Sequence, residues 1–337
     1  MTHSPLSGLS GRSRRATLLA AGALLLGAGS AATAQTAQSA PFPTKPIRFV
    51  IPTAPGGNLD LLARIVADKL TQAWGQQVIV EPKPGANTIL ATTAVARAPA
   101  DGYTALFTIS GFVQNLVLQS SPQYKLEDFV PVSEVASFPI ALAAATTLPA
   151  NDLAGVVKLA QAAPGKLSFA SYGTGSGGHL IGEGLNKVAG VQIKHIAYKG
   201  EAPGFTDLVG GQVELAYGSV GFYARQLSGG KVKLIAVASP HRLKSFPDLP
   251  TFAEAGYPDV NLAGWGALFL PAGTPAPIVA KFAQEIRRIV ALPDVQARIL
   301  EMGFEPTGSS SAEFSRTVAG DIQKWGRIVR ENGIRLE

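Results

Sequence analysis

Two glycine-rich stretches, each set between an apolar run and a helix-spaced segment, constrain this chain more than any other feature. The first is PTAPGGNLD (52–60) and the second lies within SFASYGTGSGGHL (168–180). A strand, then glycines, then a helix is the junction of open α/β sheets, where glycine lets the backbone turn sharply and approach a ligand closely. The chain from Pro41 onward repeats that alternation. IRFVIP (47–52) reads as strand, and LDLLARIVADKLTQAW follows with apolar residues at Leu61, Leu62, Ile65, Val66 and Leu70, a helical spacing. QVIVEP, the turn KPGANT, the helix TILATTAVARA and the strand GYTALFTIS come next. A second series runs helix 152–163, strand 167–172, helix 179–189, strand 192–198, helix 201–210, strand 213–217, a short helix and strand 232–239. Helices near 275–291, 294–302 and 312–332 close the chain.

This alternation predicts an α/β fold with parallel-type sheets covered by helices. Two extended segments, 129–147 (interrupted by Pro139) and 262–275, are long enough to cross between two lobes. In open α/β sheets ligands bind beyond the carboxyl ends of strands, so a cleft between lobes is the expected site.

The amino terminus is set apart. GRSRRATLLAAGALLLGAGSAATAQ has a basic start (Arg12, Arg14, Arg15), an apolar run from Ala16 and the small-residue stretch Ala32-Thr33-Ala34. It reads as an export signal over residues 1–34, cleaved near Ala34, and its alanine and glycine content fits cleavage better than a retained anchor. Ser13-Arg14-Arg15 admits a twin-arginine route beside the general one. Without that segment three arginines and no acids are lost, so the formal charge falls from +6 by three. No basic cluster remains to suggest nucleic acid as a partner. The chain has no cysteine, which excludes a thiol nucleophile and a thiolate metal site.

Helix N-termini leave backbone N–H groups unpaired and carry partial positive charge, so each glycine turn is a candidate anion site without Lys or Arg. Thr174 and Ser176 add hydroxyls to the second, and Asn58 or Asp60 can cap the helix after the first. The spacing Gly173, Gly175, Gly178 also matches a dinucleotide fingerprint. That reading needs an acid at the end of the next strand, yet VQIKHIAYKG ends Tyr198-Lys199-Gly200 and Glu201 opens a helix beyond it. Ser176 lacks the G-x-S-x-G setting of a hydrolase nucleophile. Among His3, His179, His195 and His241 no metal-type pair occurs by spacing, so neither metal nor cofactor is expected. His179 sits one turn into the helix behind the glycines, where it either reaches a ligand or hydrogen-bonds the loop. Phe112, Tyr172 and Tyr217 are candidates for aromatic contact, with core or rim packing expected for two of the three.

The motifs FPTKPIRFVIPTAPGGNLDLLAR, EPKPGAN, APADGYTALF, APGKLSFASYGTGSGGHLIGE, HIAYKGEAPGFTDLVGGQVELAYGS, PDLPTFAEAGYP and WGALFLPAGTPAPIV, taken together, closely resemble the Bug-type receptors of tripartite tricarboxylate transporters. The resemblance runs from about Phe42 to Gly333. It implies a two-lobed, type II periplasmic binding protein, with 42–138 plus 265–337 as one lobe and 139–264 as the other. It further implies a monomer that takes a di- or tricarboxylate or an aromatic acid and hands it to a membrane permease. One carboxylate would be held by the loop Tyr172, Gly173, Thr174, Gly175, Ser176, with His179 behind it, and water would bridge to Thr53, Pro55, Gly56, Gly57 and Asn58. Asn87, Ser110, Gly218 and Ser219 complete the expected contacts. Three positions depart from the family: Gly218-Ser219 where many relatives have Asp-Asn, Asn87-Thr88 where many have Gly-Gly, and Thr53 in place of an aromatic residue. The first departure implies a less acidic pocket. Two other classes stay open: an exported hydrolase using Ser176 and His179, and a ligand-binding sensor that docks on a signalling partner.

Overall fold

The structure, a computed structural model, describes residues 42–334, and the expected export signal at 1–34 lies outside them. Six strands form one sheet: β1 (Ile47–Ile51), β2 (Val78–Pro82), β3 (Thr104–Ile109), β4 (Phe129–Phe138), β10 (Gly264–Pro271) and β11 (Glu305–Pro306), in the order β11-β4-β10-β3-β1-β2. Five form the other: β5 (Ile140–Ala145), β6 (Ser168–Ser171), β7 (Lys194–Ala197), β8 (Leu215–Ser219) and β9 (Val232–Ala238), in the order β7-β6-β8-β5-β9. The helices are α1 (Asn58–Trp74), α2 (Ile89–Ala96), α3 (Gly111–Leu118), α4 (Leu153–Ala162), α5 (Gly177–Ala189), α6 (Glu201–Val209), α7 (Val220–Ala224), α8 (Ala276–Val290), α9 (Pro293–Glu301) and α10 (Ser311–Glu331).

The alternating segments pair as expected, with β1 parallel to β2 and β3, and β6 parallel to β7 and β8. The two crossing segments do not, and both sheets are mixed. β10 is antiparallel to β3 and β4, and β5 is antiparallel to β8 and β9. β5 follows β4 after Pro139 alone, so the chain enters the second sheet directly from the first and β5 runs against both of its neighbours there. Pro139 lacks an N–H and ends one ladder as the chain passes into the next sheet. Helix α3 is an element that the apolar pattern of GFVQNLVL does not announce, because the buried polar residues Gln114 and Asn115 interrupt it.

Burial follows the amphipathic patterns. α8 buries Val279, Phe282, Ile286, Ile289 and Val290, and α10 buries Phe314, Val318, Trp325, Ile328 and Val329. Each large apolar side chain so withdrawn from water contributes about 1.5–3 kcal/mol. Ser310 and Glu313 form a reciprocal capping box that starts α10. α10 packs on α3 and β4 on one side and on α5 on the other, and the main core draws on both sheets, from Val50 and Leu106 to Leu142 and Phe169. A second tie is backbone on backbone. A Cβ at Gly221 in α7 would lie 2.2 Å from the Met302 carbonyl oxygen, so only glycine fits where α7 meets the turn before β11.

Candidate functional site

The carboxyl ends of β1, β3, β6 and β8 feed loops that line one cavity of about 510 Å3. Thr53, Asn58 and Leu59 come from the turn after β1, Ser110, Gly111 and Gln114 from the start of α3, and Tyr172, Gly173, Thr174, Ser176 and Gly177 from the loop after β6. Glu201 opens α6 and Ser219 ends β8. Phe138, Pro139 and Ile140 of the crossover, Ile109, Gly264 and Phe304 supply the apolar wall, with Phe138 and Phe304 stacked at 4.0 Å between ring centres. The first residues of α1, α3, α5 and α6 therefore all border one space. Among the described residues no Lys, Arg or His lines it.

The two glycine turns prove unlike. At α1 the N-cap is Gly57, which has no side chain to offer, and Asp60 caps nothing in the first turn: its Oδ2 accepts the Gly56 N–H at 2.9 Å and binds Arg64 Nε at 3.0 Å. The expected cap from Asn58 or Asp60 is therefore not formed, and among the described residues the first α1 amides have no side-chain partner. At α5 the loop covers its own helix end. Tyr172 Oη accepts the Gly178 N–H at 3.2 Å, Ser176 Oγ accepts the His179 N–H at 3.4 Å, and the Gly173 carbonyl accepts the Ser176 N–H at 3.1 Å. His179 Nδ1 accepts the Gly175 N–H at 3.0 Å. Among the described residues the Thr174 N–H has no partner, and the Ser176 hydroxyl, having accepted one bond, keeps its proton for another. The expectation of a fully exposed α5 terminus is corrected: the glycines give Tyr172 room to lie across it, since a Cβ at Gly177 would sit 2.9 Å from the phenol oxygen.

Several buried polar groups point at the cavity unpaired. Gln114 is 4% exposed and Ser110 8%, and among the described residues neither side chain has a hydrogen-bond partner. Thr53 Oγ1 also lacks a partner, but it is closed off from the cavity. Polar groups in a protein interior are almost always satisfied, so the Ser110 and Gln114 side chains mark a place where a polar ligand or water belongs. Gln114 escaped the sequence reading because α3 did. Its signal is the i, i+4 spacing from Ser110, which puts both on one helix face.

Thr53, Asn58, Asn87, Ser110, Tyr172, Gly173, Thr174, Ser176 and Ser219 are brought together on the cavity wall. Pro55, Gly56 and Gly57 form the exposed outside of the first turn, Gly175 and His179 lie behind the second, and Gly218 is covered by Tyr223 and Glu201. Phe112 and Tyr217 are core residues, and Tyr172 alone of the three aromatic candidates reaches the cavity. Asn87 and Thr88 stand in the left-handed region at φ 44° and 81°, which glycine adopts freely and a β-branched residue does not. Asn115 holds them there: its amide nitrogen donates to the Asn87 carbonyl and, at 3.1 Å, to Thr88 Oγ1, and its Oδ1 accepts from Asn87 Nδ2 at 3.1 Å.

An acid does stand on the cavity wall beside Gly218-Ser219, supplied by Glu201 from the start of α6. Glu201 Oε1 accepts the Ser219 N–H at 2.5 Å and Oε2 accepts the Ser219 hydroxyl at 3.0 Å. Burial raises its pKa, and the Ser219 bonds and the charge of Arg225 work against that rise. The structure also brings together His179, Glu183 and His195, which no spacing rule anticipated because His195 arrives on β7. The two rings stack at 3.9 Å and 12°, so their in-plane lone pairs run side by side and do not converge on one point. Burial lowers both imidazoles to about 4, with His179 adding to the effect on His195, and keeps both neutral at pH 7. His195 Nε2 lies 2.7 Å from Ser171 Oγ, so the pair braces the loop from behind. Ser176 Oγ binds the His179 backbone and the imidazole binds Gly175, so the Ser176–His179 side-chain pair that a hydrolase needs is not formed.

The family described as tripartite tricarboxylate transporter family receptor matches residues 62–334. Protein BugT of Bordetella pertussis is 33% identical over 88% of this chain and 92% of its own length. A Rhodopseudomonas palustris protein solved with adipate superposes with a TM-score of 0.76 at 31% identity, covering 87% of this chain and 99% of that one. MatC from the same organism, with bound malate, gives 0.71 at 30% identity, covering 86% and 100%.

Proposed function

The chain belongs to the Bug-type, tripartite tricarboxylate transporter family of receptors, and from that premise we propose that it captures a small organic carboxylate in the cavity between its sheets and delivers it to a membrane permease. Proteins of this family are periplasmic solute-binding receptors, and residues 1–34 act as the export signal. One observation carries the ligand class. Helix starts at Asn58 and Gly111 and the unpaired side chains of Ser110 and Gln114 face a single cavity whose described wall has no cationic side chain. Backbone dipoles and neutral donors then supply the whole anion site. The adipate and malate carried by similar proteins support the same reading.

A thermal-shift panel of mono-, di- and tricarboxylates, aromatic acids included, tests it. A true ligand at 100-fold over its Kd stabilises by about 2.7 kcal/mol and is visible as a raised Tm. No shift with any acid, together with a clear shift for a neutral or cationic solute, refutes the proposal.

A further inference from the structure

Glu201 is the one charged side chain on the described cavity wall, and it is built in. Ser219 grips both of its oxygens, at 2.5 and 3.0 Å. Gly218 leaves it room, since a Cβ there would lie 3.2 Å from Oε1 and 2.7 Å from the Tyr223 ring. A carboxylate has about four lone-pair sites. Ser219 fills two, and the remaining acceptor capacity faces a cavity that otherwise presents donors. Resting on the carboxylate reading above, we infer that Glu201 sets the ligand class: a monocarboxylate bearing a hydroxyl or ammonium donor is taken, and di- and tricarboxylates are turned away.

The charge balance gives the reason. The first ligand carboxylate meets helix N-termini and the donors of Ser110, Gln114, Thr174 and Ser176. A second must share about 510 Å3 with Glu201, with no Lys, Arg or His on the described wall to offset it. Like charges held within one small, poorly solvated space repel strongly. A hydroxyl or ammonium in the same place satisfies Glu201. The apolar wall of Leu59, Ile109, Phe138, Ile140 and Phe304 accommodates the hydrocarbon between the two ends.

A length-matched series isolates the effect: hexanoate, 6-hydroxyhexanoate, 6-aminohexanoate and adipate, titrated calorimetrically into the whole mature protein. The expected order has the hydroxy and amino acids tightest, hexanoate next, and adipate at least tenfold weaker than 6-hydroxyhexanoate. Glu201→Gln narrows the gap between adipate and 6-hydroxyhexanoate by at least tenfold, and Glu201→Asp, which keeps the charge, preserves it. Should the Gln variant fail to fold, the wild-type ratio and the Asp variant still decide. Adipate binding as tightly as 6-hydroxyhexanoate, or a gap unchanged in Glu201→Gln, overturns the role of Glu201 and leaves the carboxylate reading standing. No binding by any of the four acids or by the wider acid panel overturns both.

Discussion

Tyr172→Phe removes one oxygen from the centre of the site, and the structure fixes what that oxygen does. It accepts the Gly178 N–H at 3.2 Å, the long end of the normal range for a neutral bond. The ring is held independently, because Gly177 and Gly178 lie under it: a Cβ at Gly178 would be 3.1 Å from Tyr172 Cε1. The phenylalanine ring therefore stays in place and only the amide is orphaned. A long neutral hydrogen bond is worth about 1 kcal/mol net, and because Gly178 is buried and does not line the cavity, part of the cost of an orphaned amide adds to it. The expected loss of stability is about 1–2 kcal/mol, or a fall in Tm of about 2–3 °C for a chain of this size. Binding moves the other way. The α5 amide, no longer plugged by the phenol, becomes available to a ligand carboxylate, and recovering that bond tightens the complex by up to about fivefold. Urea unfolding followed by circular dichroism gives the first number and titration with the tightest acid of the panel gives the second. A variant as stable as wild type with unchanged affinity would refute the reasoning. A more than tenfold loss of affinity would show instead that the phenol itself holds the ligand.

Two further outcomes rest on groups outside the cavity wall. Asn115→Ala releases three hydrogen bonds to Asn87 and Thr88, and the loop they hold in left-handed conformation relaxes. A stability loss of about 2–3 kcal/mol and weakened binding are expected, measured by urea unfolding and titration, and binding unchanged in a folded variant would remove the loop from the site. The buried His179, whose folded pKa lies near 4 against 6.5 unfolded, contributes stability that is complete above about pH 6.5 and lost as pH falls toward 4. By pH 5 the loss reaches about 2 kcal/mol, because the unfolded chain binds a proton that the folded chain refuses. Glu134 and Asp321, pushed up to about 7 and about 6 by burial, act in the opposite sense. His195, also lowered to about 4, adds to stability in the same sense as His179. The diagnostic quantity is therefore the slope of stability against pH between 4 and 6.5, which is less positive in His179→Gln than in wild type. Equal slopes would mean that His179 titrates normally.

Much of the architecture was legible in local pattern. The period of apolar residues in LDLLARIVADKLTQAW and the glycines after IRFVIP specify α1 and the turn before it without any tertiary information. The pairing direction of β5 and β10 was not legible, because it depends on which sheet a strand joins and from which side, and no local residue records that. Helix α3 was hidden for a related reason: Gln114 and Asn115 are buried by their surroundings, one facing the cavity and one clamping Asn87, and so break the apolar period by which a helix is read.

The sequence by itself determined the α/β alternation, the family, and the two glycine turns that could receive an anion, since each of these is written in residues close together along the chain. Only the tertiary structure decided that Tyr172 covers the α5 terminus, that His195 comes to rest on His179, and that Glu201 reaches Ser219 to place an acid beside Gly218. Those contacts join residues on different strands and helices. The charge and donor pattern of the cavity is set by side chains that meet only when β6, β7 and β8 pair and their loops fold over one end of the sheet.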